Sequence, residues 1–152
     1  MKSRISASVV MLTLACVSFA GIQTKPNLNG LWKMNPQMSK FGPRGAPQSI
    51  IINFAQQDGA IIETYTVAIG GRERILELRY TTDGKESINQ IGDDLTKTTA
   101  KWEEERLVIE WKREGGVVRR TFTLSNDGKV ITMAVFQGAA GEPVETLILE
   151  KQ

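Results

Sequence analysis

Apolar and polar residues alternate along most of this chain after residue 47, and the alternation breaks at short, even intervals. Turn-forming pairs stand at Asp58-Gly59, Gly70-Gly71, Asp83-Gly84, Gly92-Asp93, Glu103-Glu104, Gly115-Gly116 and Asp127-Gly128, with another turn over Gly138 to Gly141. The gaps between them are nine to thirteen residues. Runs rich in β-branched and aromatic residues fill the gaps, among them SIIINF, IIETYTVAI, RLVIEW and KVITMAVF. Short strands at this spacing, joined by tight Gly-bearing turns, predict hairpins in a sandwich or a barrel. Eight turns join nine strands, and GLWKMN ahead of a proline-rich loop makes ten. None of these segments carries a helical period.

Hairpin registers test whether the strands share one core. A two-residue turn at 58–59 sets Ile52 opposite Tyr65 and Ile50 opposite Val67. The Gly70-Gly71 turn adds Leu76 beside Tyr65 and Arg74 beside Val67. Gly115-Gly116 aligns Leu107 with Leu124, Ile109 with Phe122 and Trp111 with Arg120, and Asp127-Gly128 places Ile131 by Leu124 and Met133 by Phe122. Side chains alternate faces, so each chain of partners lies on one surface. That surface is apolar, whereas its reverse carries Asn53, Thr64, Thr66, Glu73, Glu77, Arg79, Glu110, Lys112, Arg119, Thr121 and Thr123. At Asp83-Gly84 a two-residue turn would bring Ser87 and Asn89 inward, so a longer turn is expected there. A ten-strand meander with one wet face must curl or leave its edges bare. The expected fold is therefore an all-β, antiparallel up-and-down barrel, whose interior is either packed solid or holds one small ligand.

Residues 1–20, MKSRISASVVMLTLACVSFA, have Lys2 and Arg4 ahead of an apolar run and end in Ser18-Phe19-Ala20, which reads as a cleaved secretory signal. The expected domain is then residues 21–152, in the periplasm or outside the cell, with no transmembrane span in the mature chain. Leu14-Ala15-Cys16 partly matches a lipobox, but Thr13 stands where that motif prefers leucine, so cleavage after Ala20 is expected over lipidation of Cys16. Losing Lys2 and Arg4 leaves 17 basic against 17 acidic residues and no cysteine. A neutral chain offers no basic surplus for nucleic acid or an anionic membrane.

Gly30-Leu31-Trp32 on the first strand of such a chain resembles the G-x-W signature of lipocalins. GLWKMNPQMSKFGP, YTTDGKES and AKWEEERLVIEW look like small exported bacterial lipocalin-like domains of the calycin type. The resemblance implies that Trp32, with Gly30, floors the barrel while the open end admits small apolar ligands. Three features depart from lipocalins. The C-terminal helix has no room after Lys151, Thr82-Asp83-Gly84 stands in place of T-D-Y, and Lys151 stands where an arginine usually stacks on the tryptophan. Strand number and length are nearer the fatty-acid-binding proteins, and Arg120-Thr121-Phe122 resembles their R-x-Y carboxylate motif with phenylalanine for tyrosine. The two lid helices of that family are forbidden by Pro36, Pro43, Pro47, Gly42 and Gly45.

The chemistry points to binding without catalysis. Histidine is absent, as are G-x-S-x-G and any metal-ligand cluster, so neither a cofactor nor a metal is expected. The acidic groups at Asp93-Asp94 and at Glu103 to Glu105 fall in turns. Charges on the inner face carry more information: Glu63, Arg74 and Arg120. A buried charge must be paired, solvated or near the rim. Arg120 either anchors an acidic ligand head or stacks on Trp111 and extends to water, while Glu63 and Arg74 can neutralise each other diagonally. Tyr65, Tyr80, Phe122, Met133 and Trp111 would line any cavity. The leading expectation is an exported barrel binding a small, mainly apolar ligand. The alternative is a solid barrel that touches another envelope protein through its loops, with Phe41, Pro43 and Pro47 as an exposed patch.

Overall fold

The computed structural model describes residues 24–138 and 141–152. The stretch expected to be an export signal, residues 1–20 with Cys16, lies outside the described residues. Ten strands follow in order: β1 (Gly30–Met34), β2 (Ser49–Gln57), β3 (Ala60–Ile69), β4 (Arg72–Thr81), β5 (Asp83–Ile91), β6 (Asp94–Glu103), β7 (Arg106–Arg113), β8 (Gly116–Leu124), β9 (Val130–Gln137) and β10 (Glu145–Lys151). They form one antiparallel sheet in the order β4-β3-β2-β1-β10-β9-β8-β7-β6-β5, so the first strand pairs with the last. The result is a nearly closed up-and-down barrel.

Turn chemistry sets the registers. Asp58 and Gly59, with φ of 51° and 78°, and Gly70 and Gly71, with 57° and 74°, take the positive backbone angles a two-residue hairpin turn demands. Ile52 accordingly faces Tyr65, Ile50 faces Val67, and Tyr65 faces Leu76. Leu124 meets Ile131 and Phe122 meets Met133, also as the sequence suggests. The β7–β8 hairpin differs. Arg113 pairs with Gly116, so the turn is Glu114-Gly115, and Ile109 faces Arg120 while Trp111 faces Val118. A slip of two positions leaves every side chain on its expected face, and a slip of one would have turned them all over.

Between β4 and β5 the expectation of a longer turn is overturned. The chain passes from Thr81 to Asp83 through one residue, and no ladder joins the two strands. Asn89 does point inward and is buried. Its Oδ1 accepts from the Arg79 backbone N–H at 2.7 Å and its Nδ2 donates to the Arg79 carbonyl at 2.9 Å. A side-chain amide has a peptide's donor and acceptor, so Asn89 supplies the pair of bonds that a neighbouring strand would have made. Thr98 holds the same Nδ2 at 2.7 Å, and Ser87 Oγ accepts from the Thr81 N–H at 3.4 Å. Polar residues inward at this seam therefore close the cylinder.

The interior is filled from one end. Trp32, Phe54, Phe122, Ile52, Leu107 and Ile131 are almost wholly buried, with Phe54 and Phe122 edge to face at 5.3 Å and 88°. Leu28 caps this closed end. Its carbonyl accepts from Trp32 Nε1 at 2.8 Å, while Gln56 holds the segment through the Leu28 N–H at 3.1 Å and the Pro26 carbonyl at 3.2 Å. Lys151 lies opposite Trp32 with its Nζ 5.3 Å from the ring centroid, so lysine takes the stacking place arginine holds in lipocalins. At the other end the proline-rich stretch forms turns and no helix. It is tied to β10 by mutual backbone bonds between Lys40 and Thr146 at 2.7 and 2.8 Å. Phe41 packs against the core from this loop.

Candidate functional site

Pairing of β3 with β2 and of β8 with β7 and β9 turns Glu63 and Arg120 toward the interior from separate parts of the wall. There they meet. Arg120 Nη1 and Nη2 donate to Glu63 Oε1 and Oε2, both at 2.8 Å. Tyr80 OH donates to Glu63 Oε2 at 3.1 Å and accepts from Arg120 Nη2 at 3.2 Å. Glu63 is wholly buried and Arg120 nearly so. Removing two charges from water is costly, and the forked, two-pronged geometry, with Tyr80 bonded to both partners, is what offsets that cost. Trp111, Phe122 and Tyr65 surround the guanidinium, with Cζ-to-centroid distances of 5.2, 5.4 and 5.9 Å.

The ionisations follow from this enclosure. Burial alone would push Arg120 toward losing its proton, but the Glu63 carboxylate and the tyrosine oxygens outweigh it, so Arg120 is held charged above its ordinary value. Burial first, then Glu63, raises Tyr80 well beyond the usual phenol range. Burial likewise pushes Tyr65 up to about 12, with Arg120 partly opposing.

On the open-end side of this pair lies a cavity of about 290 Å³. Its walls include Tyr65 of β3, Leu76 and Leu78 of β4, Ile91 of β5, Trp111 of β7, Arg120 of β8 and Met133 of β9. Residues Gly42 to Gly45 of the loop, with Val144 and Glu145, border its mouth. Gly42 belongs there for a steric reason: a Cβ would stand 3.0 Å from the Val144 carbonyl oxygen. Burial raises the Glu145 carboxyl above its usual range, and Arg44 partly offsets the shift. Two larger hollows, about 710 and 1000 Å³, are bordered mainly by exposed polar side chains, including Lys25 and Asp58 in one and Glu86 and Lys97 in the other. Among the described residues no group of three His, Cys, Asp or Glu could hold a metal ion. Among them, too, no helix is long and apolar enough to cross a membrane.

The sequence-derived candidates divide three ways. Arg120, Trp111, Tyr65 and Met133 border the cavity. Glu63, Tyr80 and Phe122 lie among the buried residues and are absent from its walls. Arg74 is exposed and outside it, because β4 carries its inner face past the rim at that position; its expected pairing with Glu63 is replaced by Arg120. Arg120 does stack on Trp111, but its head turns inward to Glu63 and not out to water. Leu76, Leu78 and Val135 do not stand out in the sequence as site residues, although Leu76 and Leu78 share the inward parity of Tyr80 and could be found by extending the register. The loop's contribution leaves no such signal.

No family model and no curated protein matches this chain. Solved structures do share its fold. One, described as "REP1-NXSQ fatty acid transporter", is 13% identical, with a TM-score of 0.62 over 82% of this chain and 96% of that one. A tyrosine-to-phenylalanine mutant of it gives 0.61, again at 13% identity, over 82% and 98%. The protein thus shares its lipocalin-like, up-and-down barrel fold with these two structures at 13% sequence identity.

Proposed function

We propose that this protein is an exported, non-catalytic barrel that binds one small, mainly apolar molecule at its open end. The observation that carries the reading is the asymmetry of the interior. A chain that buries Trp32, Phe54 and Phe122 almost wholly at one end leaves about 290 Å³ at the other, near the lower bound of ~300 to 1,000 Å³ for small-molecule sites. The walls are apolar with a few convergent polar groups, the usual make-up of such a site. The similarity in fold to proteins described as fatty acid transporters supports the same reading. The alternative of a loop-mediated contact with another envelope protein has less behind it, since Phe41 of the expected patch packs inward against the core.

Native mass spectrometry of the protein purified from its own host tests this directly. One bound small molecule is the expected result; a protein partner with no small molecule would contradict it. Export belongs to the proposal too, and rests on residues 1–20. N-terminal sequencing of the mature protein should begin at Gly21, and an intact Met1 would refute export through this signal.

A further inference from the structure

If the cavity is a ligand site, its chemistry is set by a group that the chain itself supplies. Arg120 is the one cationic side chain in the cavity wall that is buried; Arg44 and Arg113 are exposed at its mouth. A forked guanidinium in that place is suited to seize a carboxylate head from an entering lipid. Both of its forward donors, Nη1 and Nη2, are already committed to the two oxygens of Glu63 at 2.8 Å, and Nη2 also meets Tyr80. A second carboxylate reaching this depth would displace Glu63 into a fully buried position with no cation, or sit beside it as a like charge. Two N–H groups of cavity-wall residues, Trp111 Nε1 and Arg120 Nε, are buried and donate to nothing among the described residues. An uncharged oxygen could accept from such donors without adding a second negative charge beside Glu63.

We propose that the cavity takes a neutral, mainly apolar molecule bearing an acceptor oxygen, such as an ester or ketone, and that Glu63 acts as a built-in occupant of Arg120 which excludes free fatty carboxylates. This inference rests on the proposed binding role and narrows it. Although the neighbours are described as fatty acid transporters, the buried arginine of this chain already holds an internal carboxylate, Glu63.

Methyl octanoate and octanoate are matched probes, differing chiefly in the charge of the head. A carboxyl of ordinary pKa, ~4.3, is neutral in only about one molecule in 500 at pH 7. Titration calorimetry on the wild-type protein at pH 7 should show methyl octanoate binding at least about tenfold more tightly than octanoate. Equal or tighter binding of octanoate would overturn the proposal, whichever arginine held it. Binding of neither probe would overturn the cavity reading itself, so the two failures are told apart. Glu63→Gln frees Arg120, and in folded protein, checked by circular dichroism, octanoate affinity should rise by about tenfold or more relative to methyl octanoate. No such rise would remove Glu63 as the cause of selectivity. Should that variant fail to fold, the wild-type comparison decides the matter alone.

Discussion

At the closed end of the barrel, Trp32, Phe54 and Phe122 meet under Leu28, and the polar atoms that reach them are matched, Trp32 Nε1 with the Leu28 carbonyl at 2.8 Å. At the open end the same alternation of strands sends in Leu76, Leu78, Met133 and Val135 beside Tyr65 and Trp111, leaves space between them, and leaves Trp111 Nε1 without a partner among the described residues. The boundary between the two is the Glu63–Arg120 pair, pinned across the interior from β3 to β8. Identical backbone architecture therefore yields a plug or a container according to how the inward side chains fill it and to where charge is placed. Stability should reside mainly at the closed end and selectivity at the open one.

The comparison can be broken by truncation at each end. Trp32→Ala should cost about 3–5 kcal/mol in urea denaturation, since a fully buried ring leaves a void its neighbours cannot fill. Leu78→Ala, whose side chain already borders the cavity, should cost nearer ~2 kcal/mol while weakening binding of methyl octanoate. Equal costs, with binding untouched, would erase the division between the ends.

The boundary comes next. Arg120→Met leaves Glu63 buried with only Tyr80 for company and should cost about 3–5 kcal/mol. Replacing both partners, Glu63→Leu with Arg120→Met, should recover more than half of that loss, because no uncompensated charge remains. A double variant as unstable as the single one would mean the pair is an energetic cornerstone and not a selectivity device.

A smaller effect is expected at the β4–β5 seam. Asn89→Ala removes both bonds to Arg79 and the one to Thr98, and should cost about 1–3 kcal/mol. Hydrogen exchange at the Arg79 amide should accelerate by more than exchange within β7. Unchanged exchange there would show that the cylinder closes without Asn89.

The smallest effect concerns pH. Tyr65 titrates at 10.0 when unperturbed and at about 12 in the folded protein, so the folded state holds its proton longer than the unfolded one. Its contribution to stability is present below pH 10 and is lost as pH climbs toward 12, by ~1.4 kcal/mol for each pH step of one crossed in that window. Tyr65→Phe should flatten part of that alkaline loss in urea midpoints at pH 7 and 11; an identical loss would place the titration elsewhere.

Most of the barrel is legible in the sequence because period-2 alternation and Gly-bearing turns are local signals. Even the Glu114-Gly115 correction preserves the faces, since the slip is even. Asn89 misleads for a physical reason: an inward polar residue reads as an error unless the strand it replaces is known to be missing. The site is half legible. Inward Glu63, Arg120, Tyr65 and Trp111 follow from parity, but the pairing of Glu63 with Arg120 joins residues 57 apart across the barrel. No local pattern encodes that contact, and Arg74, nearer along the hairpin, is the natural but incorrect partner.

The central claim is that ligand enters the open end and that the closed end is solid. Amide chemical-shift mapping during titration of isotope-labelled protein with methyl octanoate tests it most directly. Shifts should cluster at Tyr65, Leu76, Leu78, Trp111, Met133 and Val135, with Leu28, Trp32 and Phe54 unmoved. Shifts centred on Leu28 and Trp32, or none at saturating probe, would contradict it.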